Sequence, residues 1–434
     1  MTTDAQGKVI PGLATEWQQS SDSLAMTLRP GVQFQDGTPF DAEAVEWNIR
    51  KQQNQPGTRA TLGLVDRIDV SRPDEVVLHL TRPAPDLVTQ LASFAGLMVS
   101  PNVTQADLEG GAPAGTGPYQ IDAASSQKND TYVYRAFDEY NGPHAPLFRT
   151  VTGRVISDDV SRTNALRSGR IDGGFLSASQ VNDVDGRVGI ESARAYVQAL
   201  VILDASPGKP LGDPLVREAI ARAIDRDAFG KAVNFGRSYP QDVLLESGLP
   251  GAIDGYIGYS YDPERARRLI ADSGYTDIRL EIPVQGGFRL GGEALASMLE
   301  QVGVHVDLVP VAIGQDTAGI LAGKFNSTYT FVPDIDPESL YAKFVSPRAP
   351  FNPFKISDPD IEAAHARALA APEGQPEQDA AYEDMLRSLY DSARIIPIAR
   401  VESVFGYDES RLSDVHAWSG VPGFPRFADL RPRN

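Results

Sequence analysis

The chain has 434 residues, 41% of them hydrophobic and 23% charged, an ordinary globular composition that excludes disordered and fibrous classes. Its 58 Asp and Glu outnumber 40 Lys and Arg, and the net charge of −18 repels phosphate backbones and anionic membrane surfaces, so no nucleic-acid partner is expected. Cysteine is absent, which removes disulfides, thiol nucleophiles and thiolate metal sites together and suits an extracytoplasmic compartment.

Apolar runs are short. The longest, such as Ala95–Val99 and Ala199–Leu203, have the length of buried strands. The sequence opens Met1-Thr2-Thr3-Asp4 without a basic-then-apolar leader.

Residues 22–30 alternate apolar and polar, which predicts a half-buried strand closed by Pro30 and Gly31. Asp36-Gly37 makes a turn, and Asp41 is placed to cap a helix carrying Val45, Trp47 and Ile49. Val76–Leu80 reads as a strand, followed after a Pro-rich break by a short helix through Leu87 and Leu91. Gly115-Thr116-Gly117-Pro118 reads as a structural turn, because the Lys and Ser/Thr of a phosphate loop are missing. Thr131–Phe137 is then a strand and Ser157–Arg167 a helix.

In the second half the pattern is an alternation of helices and short apolar strands, an α/β signature. Asp213 and Pro214 open a predicted helix spanning 211–231, with Leu215, Val216, Ala219, Ile220, Ala223 and Ile224 on its apolar face. Asp262-Pro263 opens the next helix, which Gly274 ends. A strand at 279–284, a helix from about Gly291 to Val302 and a strand at His305–Pro310 follow. The turn-rich stretch 205–213 is the expected interdomain crossing.

Several of these pieces, in this order, resemble the large extracytoplasmic solute-binding proteins of ABC importers, family 5, which include dipeptide-, oligopeptide- and nickel-binding proteins. The most specific are Pro11-Gly12-Leu13-Ala14-Thr15-Glu16-Trp17, Leu28-Arg29-Pro30-Gly31-Val32-Gln33-Phe34 and the segment Asp36–Val45. Gly115–Tyr119, Leu166–Asp172 and Asp213–Asp227 resemble later landmarks. The resemblance implies an α/β, two-lobed periplasmic-binding-protein-like fold with an accessory domain in the first lobe. On it, residues 1–15, 151–205 and 399–434 form the main domain of lobe 1, 16–150 its accessory domain and 206–398 lobe 2, the return running through Ile395-Ile396-Pro397-Ile398. It also implies more chain before Pro11 than is present, as if the sequence were N-terminally truncated.

Function follows the same resemblance: a monomeric binding protein, periplasmic or a cell-surface lipoprotein, delivering a small solute (peptide-like, opine, sugar or other organic) to ABC permease subunits. No catalytic step, cofactor or metal is expected. Among the five histidines none is spaced i, i+3 or i+4 from another, and no Gly-x-Ser-x-Gly or His-Glu-x-x-His motif occurs.

Candidate ligand residues come from cleft positions in the family. Arg59 lies where nickel-complex binders carry an Arg, and Arg289 where some dipeptide binders pair an Arg with a ligand carboxylate. Phe94 and Phe288 flank expected cleft loops, although an aromatic in an apolar run is more often core. In Tyr329-Thr330-Phe331-Val332-Pro333-Asp334-Ile335-Asp336-Pro337, Pro333 takes the amine-anchoring position and Asp334 falls one residue later, which argues against ordinary di- and tripeptides. Trp418 completes the set from the C-terminal segment. Two alternatives stand beside the transport reading. One is a sensor partner; the other is a glycosidase-like hydrolase using Asp334 and Asp336, which are too close in sequence to face each other across a substrate. Asp336-Pro337 reads as a helix cap.

Overall fold

The computed structural model describes residues 1–434 except 5–7, 56–57, 85, 144, 185, 187, 250, 313, 334–335, 373, 418–423 and 434. It divides into two compact units, Met1–Ala193 with Ser403–Asn434, and Arg194–Glu402. The chain passes between them inside two unbroken strands, Val188–Ile202 and Ile395–Asp408. The turn-rich stretch 205–213 therefore lies within the second unit. A boundary inside a regular strand needs no turn residues, so composition does not mark it.

In the first unit, four antiparallel strands run in the order Ala14–Gln19, Ser23–Leu28, Glu75–Leu80, Val65–Arg72. Ser23–Leu28 alternates half-buried and buried side chains, as its period-two pattern requires. The helix Ala42–Gln52 joins the same core, burying Val45 and Ile49 with Leu24, Phe34 and Leu78. Asp41 caps it by accepting the Ala44 N–H at 2.9 Å. The 115–119 turn is structural: the Gln35 side chain donates to the Gly117 and Tyr119 carbonyls and accepts the Gly115 N–H. Beyond it come the three-stranded sheet Tyr119–Ile121, Thr131–Ala136, Thr150–Arg154 and the helix Asp159–Arg167, capped by Asp158. The strand Gly173–Leu176 then pairs antiparallel with residues 404–407.

The second unit holds two apolar clusters, one around Ile220, Phe229, Ile282 and Leu295, the other around Val332, Leu340, Met385 and Leu386. Ile278–Val284 and Val304–Pro310 pair in parallel, and Tyr196–Ile202 pairs antiparallel with Ser327–Pro333. Four of its helices start on an Asp-Pro pair, at 213, 262, 336 and 358. In each the carboxylate accepts a first-turn N–H and proline fills the first helical position, where its missing N–H costs nothing.

The single helix expected at 211–231 is two, Pro214–Ala223 and Arg226–Asn234. Ile224 is extended and Asp225 becomes a second cap, accepting the Ala228 N–H at 2.9 Å. The buried Arg226 guanidinium holds the break by donating to the carbonyls of Gln241, Tyr259 and Pro397. Among the described residues no helix is long and apolar enough to cross a membrane.

Candidate functional site

In the second unit, the strand Ile278–Val284 ends in a short turn, Gly286–Phe288, that feeds the helix Arg289–Glu300. The helix thus begins two residues before the Gly291 start that its sequence suggested, because the Phe288 N–H bonds back to the Gln285 carbonyl at 2.8 Å and winds the chain early. Gly291 lets this first turn sit directly on Tyr329: a Cβ there would lie 2.3 Å from the ring.

Tyr329 and Phe331 belong to the strand Ser327–Pro333, which lies beside Ile278–Val284. The Ser327 hydroxyl donates to the Glu281 carbonyl, and the Glu281 N–H to the Asn326 side chain. The two residues lie on the same face of the strand but differ in exposure. Tyr329 is 3% exposed and touches Phe229 and Phe288, both at 5.9 Å between ring centroids. Burial pushes its phenol pKa up, opposed by a hydrogen bond with Gln198. Phe331 is 36% exposed and sits between Phe288 at 5.0 Å and Tyr196 at 5.8 Å. Tyr196, Phe331 and Phe288 therefore form one partly open aromatic face, with Tyr329 as its floor.

Arg289 is attached directly to this face. Its side chain is exposed, and its Nε donates to Glu293 Oε1 at 2.7 Å, one helical turn on. That carboxylate raises the pKa of the guanidinium. The arrangement offers an apolar contact surface and a fixed positive charge beside each other, at the carboxyl ends of strands where α/β proteins bind ligands.

The remaining candidates are elsewhere. Arg59 is exposed at the start of the helix Arg59–Leu62, in the first unit. Phe94, in the same unit, is exposed and lines a hollow of about 580 Å³ with Leu97, Tyr119 and Tyr134. Asp334 and Trp418 lie outside the described residues. Asp336 is engaged as a cap, accepting the Ser339 N–H at 2.9 Å.

Two features went unread in the sequence. Tyr196 completes the aromatic face, and only its strand register opposite Pro333 identifies it. Behind the Asp336 cap, His365 Nε2 lies 2.6 Å from Glu338 Oε2 and its ring stacks on Tyr341 at 3.5 Å. The Tyr341 hydroxyl donates to Glu362 at 2.6 Å; burial and that carboxylate push its pKa up to about 12. This buried polar knot braces the short helix Pro337–Leu340. Among the described residues no group of three or more His, Asp or Glu is arranged to hold a metal.

This α/β chain of two units has the fold of the two-lobed periplasmic binding proteins. Over its full length it superposes on 93% of the crystal structure of NikA from Brucella suis in complex with Fe(III)-EDTA, with a TM-score of 0.86 at 24% identity. It is 27% identical to the glutathione-binding protein GsiB of Pectobacterium atrosepticum, covering 91% of this chain and 81% of that protein. It is 26% identical to the nickel-binding periplasmic protein of Escherichia coli, covering 92% and 82%. Residues 8–351 match the bacterial extracellular solute-binding proteins, family 5 (middle region), and the chain belongs to that family. Its class of work is the capture of a small solute for an ABC permease.

Proposed function

We propose that this protein binds, without transforming it, a small solute carrying an anionic group, and that Phe288, Phe331 and Arg289 contact it in the second unit. The observation that carries the reading is the exposed Arg289 guanidinium, paired with Glu293, directly after Phe288 of the Phe288–Phe331–Tyr196 face. Two relatives support it chemically. Glutathione bears free carboxylates, and Fe(III)-EDTA is a carboxylate chelate. Arg59, Phe94, Asp334 and Trp418 are the further contacts proposed, and the protein works on the extracytoplasmic side, free or lipid-anchored. With Pro333 at the amine-anchoring position, ordinary dipeptides bind weakly.

Native mass spectrometry of freshly purified protein should show a co-purified acidic solute. With that solute, Arg289→Ala should weaken binding at least about thirtyfold in calorimetry, since removing one partner of a desolvated charge pair costs roughly 2–5 kcal/mol. Unliganded melting should barely move, because the exposed pair with Glu293 contributes little. Arg289→Lys should restore part of the loss, as a point charge lacks the guanidinium fork. Unchanged affinity in Arg289→Ala, or micromolar binding of a plain dipeptide, rejects the reading. Recovery of a chemically altered solute rejects the binding-only role.

A further inference from the structure

The strand Ile278–Val284 reaches the solute face through Gln285-Gly286-Gly287. Glycine loses more conformational freedom on ordering than any other residue, so two in succession make a turn that is costly to hold in one shape. Among the described residues nothing requires glycine here: neither has a positive φ, and a Cβ on either would meet no atom within 4 Å. The turn that presents Phe288 and Arg289 therefore depends on how its ends are held.

Gln285 holds the near end twice. Its carbonyl accepts the Phe288 N–H at 2.8 Å, and its side-chain Nε2 donates to Asp316 Oδ2 at 3.0 Å. Asp316 lies in the first turn of the helix Gln315–Leu321, beyond the parallel partner strand Val304–Pro310. The Val311 N–H bonds to the Val284 carbonyl at 3.0 Å, so one backbone and one side-chain bond join the two strand ends. The side-chain bond is hard to replace. Asp316 is half-buried, its Oδ1 is buried without a hydrogen-bond partner, and among the described residues Gln285 is the one donor to its carboxylate. Hydrogen bonds to carboxylates are stronger than neutral ones, and losing this one leaves a partly desolvated carboxylate with no donor at all.

We propose that Gln285 and Asp316 are positioning residues of the solute face. Their bond fixes the point where the 286–288 turn begins, and with it the placing of Phe288 against Phe331 and of Arg289, the first residue of the helix Arg289–Glu300. They act through the turn and do not touch the solute. Their effect on affinity rests on the function proposed above, whereas the anchoring is a property of the unliganded chain.

Hydrogen exchange of the unliganded full chain, resolved to single amides, tests the anchoring. The amides to follow are those of Phe288 and Arg289, which bond to the carbonyls of Gln285 and Gly286. Gln285→Ala and Asp316→Ala should each speed their exchange at least about fivefold while the helix Pro214–Ala223 keeps its protection. Gln285→Glu should do the same by setting two carboxylates together. The double variant Gln285→Glu/Asp316→Asn should restore slow exchange, because donor and acceptor have only changed places. It decides the matter even where an alanine variant fails to fold. Calorimetry with the co-purified acidic solute should show affinity falling in the three single variants and returning in the double one. Faster exchange together with unchanged affinity in Arg289→Ala rejects the proposed function and keeps the anchor. Unchanged exchange in both alanine variants, no rescue in the double variant, or unchanged solute affinity where Arg289→Ala does weaken binding overturns the proposal.

Discussion

Gly291 is a residue whose side chain is set by its neighbour's. The Tyr329 ring occupies the space a methyl group would need, and Tyr329 is itself boxed in by Phe229 and Phe288. Gly291→Ala should cost about 1–3 kcal/mol, read as a lower urea midpoint, since a packed ring has no rotamer to retreat to. An unshifted midpoint would show that the ring swings aside. Asp204 carries a different lesson. Burial raises the pKa of its carboxyl, but the Lys209 ammonium at 2.5 Å and the Ser206 hydroxyl at 2.6 Å more than offset this and hold it below the usual carboxylate value. A depressed folded pKa stabilises the fold above the unfolded value of about 3.9 and loses that contribution as pH falls through the folded one. The stability advantage of the native chain over Asp204→Asn should accordingly be constant near neutrality and shrink below about pH 4. A pH-independent difference in urea titrations contradicts this.

Helix starts are the best-written elements of this chain, because their chemistry is local. Asp-Pro at 213, 262 and 336 announces both the cap and the first helical residue, and all three do so in the structure. The break at 224–225 was not legible for the converse reason. Ile224 completes the apolar face with no Gly or Pro after it, and what interrupts the helix is Arg226 reaching carbonyls distant in sequence. Asp225→Ala should therefore cost about 1 kcal/mol, with Asp225→Ser recovering most of it in thermal melts. Equal stability of the Ala variant would mean that Arg226 alone fixes the kink. The candidate site divides along the same line. Phe288, Arg289 and Phe331 were visible as types near a strand end, while Tyr196 and the bracing pair His365–Glu338 depend on strand register and long-range packing. Tyr329 and Phe331, two residues apart on one strand, share a face and both meet Phe288; their difference in exposure comes from what packs over each, not from the strand pattern.

At the scale of the molecule, the second unit is one continuous stretch with its own apolar clusters, and its strand pairs 196–202 with 327–333 and 238–240 with 399–401 are internal to it. A fragment spanning residues 194–402 should fold alone, with a cooperative melt and the near-ultraviolet signature of packed Tyr and Phe. A fragment without a cooperative transition would show that the flanking strand halves are indispensable. The first unit has no such freedom, because residues 404–407 pair with Gly173–Leu176, and Phe405, Leu412, Val415 and Leu430 build one of its apolar clusters.

That discontinuity has a temporal meaning on the ribosome. The second unit can close while it is still being extruded, whereas the strand Gly173–Leu176 waits for a partner synthesised more than two hundred residues later. At roughly 5–20 residues per second, that is an interval of about ten seconds or more during which an unpaired edge stands open to misassembly. The nascent chain is thus most in need of a holding chaperone in its first half, and residues 403–434 act as the latch that ends this exposure.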